Sequence, residues 1–193
     1  MSDNEEVREK IIKAAMHVFS QHGFFKPPVR LIAEEAEVSK GLIFWYFRSK
    51  EELILEVAVR SLPTDIMEQC LKEGIGGGEL LRCIGKRYLD KYKDPVLKNL
   101  LLHTLSAEAL YPSIRAEITK LCGEGLRKTA IMAFGSDDPT HIMVVRSFFG
   151  GLLCYVLRPP QDISPEDYLE SLMEISLYYP SSSSSSEKER SSK

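Results

Sequence analysis

The chain has 193 residues and carries 25 Lys and Arg against 28 Asp and Glu, a net charge of −3. That length allows one small and one medium domain with real cores, and the slightly acidic balance argues against indiscriminate nucleic-acid binding through bulk charge. Cys70, Cys83, Cys122 and Cys154 show no C-x-x-C or clustered Cys/His spacing, so neither a zinc site nor a disulfide framework is indicated; they read as reduced, mostly buried core residues of a cytoplasmic protein.

The first helix is expected from about Glu5 to Gln21, with Ile11, Ala15, Val18 and Phe19 recurring at helical spacing, and His22-Gly23 ends it. A second helix begins at Pro28 or Val29 and runs to about Ala36, with Leu31, Ile32 and Ala36 inward. Ser39 caps a third, about Lys40 to Phe47, whose Ile43 and Phe47 at i,i+4 face inward while Leu42, Trp45 and Tyr46 lie on the other side. Ser49 and Glu52 fit a capping box that opens helix four. From Val38 to Lys50 the charges are Lys40, Arg48 and Lys50, with no acidic residue. A short basic and aromatic helix presented by two others has the form that enters a DNA groove.

This stretch, helix one with HGF and then VRLIAEEAEVSKGLIFWYFRSKEEL, resembles the DNA-binding domain of TetR-family transcriptional regulators, over roughly the first quarter of the chain. The resemblance implies an all-α protein of about nine helices: an N-terminal three-helix helix-turn-helix domain (1–50), a C-terminal helical ligand-binding and dimerisation domain (51–179), and here a disordered Ser-rich tail (180–193). Carried over by position, it implies DNA contacts from Arg30, Ser39, Lys40, Gly41, Leu42, Phe44, Trp45, Tyr46 and Lys50, with Tyr46 and Lys50 at phosphates. Three departures stand out. Leu42 and Phe44 occupy places usually held by Thr and Tyr, which shifts base reading toward apolar contact such as thymine methyls. Glu37 stands where the turn usually has Gly, which predicts an unusual backbone conformation. Pro27-Pro28 replaces the usual Thr cap of helix two.

Beyond Leu53 no alternating strand pattern appears. Pro63 bends or breaks helix four near its end, and Gly74 to Gly78 is a flexible connection without the features of a phosphate-binding loop. Further helices are expected near 79–93, 94–110, 112–134, 139–158 and from Ser164-Pro165 to about Tyr179, with Asp94-Pro95 and Asp138-Pro139 as opening caps. The run from Ile142 to Leu157 is short for a membrane span and contains Arg146. The helix from Pro139 is apolar nearly all round, and its small pairs Ser147/Gly151 and Gly150/Cys154 allow close helix approach. The resemblance implies a homodimer through the last two helices. A ligand cavity in the C-terminal domain draws its candidate lining from Tyr88, Tyr92, His103, Arg146, Phe149 and Tyr155. Arg146 meets either a ligand carboxylate or phosphate, or an internal partner such as Glu108 or Glu117.

The leading reading is a cytoplasmic ligand-responsive regulator: a repressor released from a palindromic double-stranded operator by a small apolar or amphipathic effector such as an acyl-CoA or a drug. The alternative is a helical small-molecule-binding protein with a degenerate DNA-binding motif, favoured by Glu37, Leu42 and Phe44 and opposed by Lys40, Tyr46 and Lys50. His17, His22, His103 and His141 form no metal-binding spacing, and no G-x-S-x-G nucleophile motif appears; no catalysis, metal, cofactor or membrane role is expected.

Overall fold

The computed structural model describes residues 3–190, with side chains for 4–178. Ten helices and no strand are present among the described residues: α1 (Asp3–His22), α2 (Val29–Glu35), α3 (Lys40–Tyr46), α4 (Lys50–Ser61), α5 (Thr64–Lys72), α6 (Gly77–Lys91), α7 (Pro95–Ala107), α8 (Pro112–Phe134), α9 (Pro139–Leu157) and α10 (Pro165–Arg190). Helix four breaks before Pro63, and the number of helices exceeds the expected nine because a separate short helix, α5, follows that break. The expected tail, 180–193, overlaps the end of α10, and its side chains lie outside the described residues.

The chain divides into two compact units, Met1–Pro63 with Asp94–Thr119, and Thr64–Lys93 with Lys120–Lys193. The division expected at residue 50 does not describe them, because α4 and α7 pack with the N-terminal helices. In the first unit α1 buries Ile11, Ile12, Ala15, Val18 and Phe19 against Ile32 and Ala33 of α2, Ile43 of α3 and Phe47. The i,i+3 and i,i+4 spacing of these apolar residues explains why each segment is helical and which side turns inward. Helix α4 adds Leu53, Ile54, Val57 and Ala58. It is also tied to α1 by Arg8–Glu56 (2.9 Å) and Arg60–Glu9 (2.7 Å). Helix α7 buries Leu100, Leu101, Thr104 and Ala107, and Ser61 of α4 and Thr104 share a buried hydrogen bond of 2.8 Å.

The second unit packs α6 against α5, α9 and α10. Its core includes Leu80, Leu81, Ile84, Phe148, Leu152 and Leu169. Glycines let its helices approach: a Cβ at Gly151 would stand 2.6 Å from Leu172 of α10, and the Tyr168 hydroxyl donates to the Gly151 carbonyl at 2.9 Å. Gly151 therefore serves a contact inside the chain, while its neighbour Gly150 faces open space. The cysteines require a correction. Cys70 and Cys83 form a disulfide with Cα atoms 6.1 Å apart, Cys122 is half-buried and Cys154 is exposed. The turn between α5 and α6 folds the second helix back along the first, so residues a few positions on either side of it meet, and no local spacing in the sequence signals this.

Candidate nucleic-acid interface

The turn between α2 and α3 sets how α3 is presented. Glu37 adopts φ 50°, the only positive φ at a non-glycine residue among those described. Its N–H donates to the Glu34 carbonyl (3.1 Å), and the Val38 N–H donates to the Ala33 carbonyl (2.9 Å). These two bonds are the Schellman pattern that ends a helix through a left-handed residue. The conformation expected from the missing glycine is thus adopted with Glu in place, beside an exposed ion pair to Lys10 at 3.1 Å. Ser39 then caps α3, its Oγ accepting the Leu42 N–H at 3.1 Å. The hydroxyl proton stays available to donate outward.

The inward pair is as expected: Ile43 of α3 and its C-cap Phe47 are each 1% exposed. Trp45 is 68% exposed and Phe44 41%, whereas Leu42 and Tyr46 are half-buried. Trp45 and Tyr46 meet edge to face with centroids 4.8 Å apart, and the Lys40 ammonium lies 5.7 Å from the Phe44 ring. Gly41 is exposed, with only Ser39 Oγ near an added Cβ, at 3.8 Å. Arg30 is exposed and reaches Glu34 one turn on, at 3.4 Å. A wide apolar ring flanked by a cation on a capped helix suits base edges and phosphates together.

Helix α4 opens with Ser49 Oγ accepting the Glu52 N–H (3.1 Å), while Glu52 accepts from the N–H of Arg48, one residue earlier than a standard capping box provides (2.7 Å). Lys50 sits in the first turn of α4, where the helix dipole favours an anion. Its Nζ donates to the Phe25 carbonyl at 3.0 Å. Partial burial pushes its pKa down, against a smaller upward pull from Glu51; a neighbouring anion would counter that. Phe25 itself stacks on Tyr111. Neither Phe25 nor Tyr111 stands out in the sequence; the one available signal is an unexplained aromatic in the turn after HGF.

The family model "Bacterial regulatory proteins, tetR family" matches residues 11–57. That match spans α1 to α4, the segment that forms the capped helix-turn-helix. Residues 11–57 form a DNA-binding domain of the tetR regulatory-protein type. The regulator HbdR of Aromatoleum sp. (strain CIB) is 44% identical over 60 residues, 31% of this chain and 26% of HbdR. The fatty acid metabolism regulator protein of Bacillus subtilis (strain 168) is 31% identical over 77 residues, 39% of this chain and 40% of that protein. The chain thus spans well under half the length of these two relatives. The structure of Salmonella enterica GusR shares the fold over 91% of this chain and 96% of its own, with a TM-score of 0.71 at 17% identity.

Beyond the tetR-type domain the candidate ligand residues separate. Tyr88 and Tyr92 are buried side by side (centroids 4.6 Å), with Phe149 6.1 Å from Tyr88. Burial raises the pKa of both hydroxyls, which stay protonated. Tyr155 packs on Tyr168 at 4.7 Å. Arg146 is exposed and, among the described residues, pairs with no carboxylate. His103 belongs to the first unit, where its ring meets Phe24 at 6.2 Å and lies over Gly23. A residue not singled out from the sequence, Thr129, is wholly buried with its hydroxyl unpartnered. Ser136, Asp138 and His141 cluster, but both oxygens meet His141 at Nδ1. A nucleophile–base relay needs them divided between the two ring nitrogens, and Asp138 instead caps α9 through the Thr140 and His141 N–H groups.

Helix α9 extends the apolar run from Ile142 back to Pro139 and so is long and apolar enough to cross a membrane by length and composition alone, a test that the core helix of a soluble protein also passes. In the second unit it packs on α6 and α10. Its remaining apolar surface lines an open groove of about 610 Å³ with α10, formed by Met143, Val144, Ser147, Leu172, Ile175 and neighbours. Met143 is 55% exposed and Ile175 71%.

Proposed function

We propose that this TetR-family protein is a cytoplasmic ligand-responsive repressor that binds a palindromic operator as a homodimer. The observation that carries the reading is the outward face of α3, where Lys40, Phe44 and Trp45 are exposed over a locked inner pair. Paired across a two-fold axis, two such helices about 34–36 Å apart would enter successive major grooves. Phe44 and Trp45, with Leu42 at their edge, suit thymine methyls. Arg30, Ser39, Tyr46 and Lys50 suit backbone positioning, with Gly41 at the closest approach.

The apolar groove of α9 and α10 supports dimerisation through these helices, since a patch of this kind on a soluble chain calls for a partner. Tyr88, Tyr92 and Phe149, with the unpartnered Thr129 hydroxyl in the same unit, support an apolar or amphipathic effector. The Bacillus subtilis relative's name supports an acyl-type compound. Coupling of about 1–3 kcal/mol between effector and DNA suffices for induction.

Selection of bound fragments from the source genome, read by sequencing, tests the reading. Enrichment of one palindromic site by a dimer in solution is the expected result. A folded dimer that enriches nothing at low salt, after any bound ligand has been stripped, would favour the degenerate-motif alternative.

A further inference from the structure

The geometry assigns to Tyr111, on the turn between α7 and α8, the role of a positioning residue that acts through Phe25 on the DNA contact of Lys50. The inference rests on the DNA-binding reading above and concerns residues of the first unit alone.

The chain of contacts is short. The Tyr111 and Phe25 rings stack with centroids 5.0 Å apart and planes within 6° of parallel. The Phe25 carbonyl, on the same residue as that ring, accepts the Lys50 Nζ at 3.0 Å. Phe25 lies in the turn between α1 and α2 and is 44% exposed, with Tyr111 covering one face of its ring. Tyr111 is itself fixed: its N–H donates to the carbonyl of buried Ala107 (2.9 Å), and Arg115 closes the corner by donating Nε to the Glu108 carbonyl (3.0 Å). Glu51, next to Lys50, acts electrostatically on both Lys50 and Tyr111, which places the three groups in one neighbourhood.

An ammonium has three donors. One is held by Phe25, which orients the other two at the start of α4, where a phosphate is favoured by the helix dipole. Without the anchor, Lys50 would sample its rotamers and its hold on a phosphate would carry their entropy cost. Tyr111 itself touches no DNA; it holds the carbonyl that holds the lysine.

The test uses the full-length dimer and a duplex enriched from genomic DNA, with affinity read by fluorescence anisotropy across a salt series. Tyr111→Ala is expected to weaken binding several-fold and to flatten the log–log salt slope by about 0.9 for each phosphate that Lys50 no longer neutralises. Tyr111→Phe, which keeps the stack, should bind as the parent does. In a Lys50→Ala background Tyr111→Ala should change nothing further, because a relay is non-additive. Phe25→Leu keeps the carbonyl, removes the stack and should reproduce the loss, which covers the case in which Tyr111→Ala fails to fold. An unchanged slope in Tyr111→Ala, or a loss that adds to that of Lys50→Ala, overturns the relay while leaving the DNA-binding reading intact. A parent protein that binds no duplex overturns that reading instead.

Discussion

The two units dispose their aromatic chemistry in opposite ways. In the first, Trp45 and Phe44 stand at the surface over a tightly packed inner face, and the helix that carries them is fixed by a cap and a Schellman turn. In the second, Tyr88 and Tyr92 are buried among other side chains, and the exposed apolar residues include Met143 of α9 and Ile175 of α10. A rigid, locally specified surface suits a ligand of constant shape such as a duplex. The proposed effector and second subunit would meet an inward aromatic cluster and an outward apolar groove, whose demands the local sequence does not encode.

The sharpest way to break the comparison lies in α3 and its C-cap, Phe47. Phe47→Ala, at a site 1% exposed, should cost about 3–5 kcal/mol of stability, whereas Trp45→Ala should shift stability by no more than about 0.5 kcal/mol while weakening operator binding. Calorimetry and anisotropy on the same samples separate these; a large stability loss for Trp45→Ala would place that ring in the fold rather than the interface.

Next in size is the disulfide. Closing a loop with a sequence separation of 13 is worth about 3 kcal/mol. Cys83→Ser, or reduction by dithiothreitol, should lower the unfolding free energy by about that amount. Thiol counting by mass after alkylation checks the bond itself, and four reactive thiols in the unreduced, denatured protein would refute it.

Glu37→Gly should raise stability by about 1 kcal/mol, because glycine relieves the left-handed strain and the exposed Lys10 pair contributes little. A fall in melting temperature would show that the pair matters more than the backbone.

The smallest effect concerns Glu56. Burial would raise its pKa, but hydrogen bonds and charge from Arg8 and Arg60 outweigh burial and hold it below the ordinary 4.5. A carboxyl lowered in the folded state stabilises above its unfolded pKa, and that contribution disappears as pH falls through the folded value. Glu56→Gln should therefore lower the melting temperature at neutral pH and make its decline between about pH 5 and 3 shallower. Parallel profiles for the two proteins would remove Glu56 from the acid response.

The helix-turn-helix was legible because its determinants lie close together in the chain. Ser39 and Ser49 cap the helices they precede, Ile43 and Phe47 share a face by spacing alone, and the missing glycine at Glu37 announced its own φ. Helical periodicity likewise marked most of the later helices; the break at Pro63 was legible, but α5 beyond it was not, because a proline that ends one helix can also open the next. Other features were settled by segments distant in sequence. Cys70 meets Cys83 because α6 folds back along α5, Gly151 makes room for Leu172, and His103 leaves the ligand candidates to lie over Gly23. Tyr111 reaches Phe25 from far along the chain to support Lys50. Caps, turns and periodicity act over a few residues and so can be read from them. Contacts between helices depend on how the chain folds back on itself, which only the tertiary structure decides.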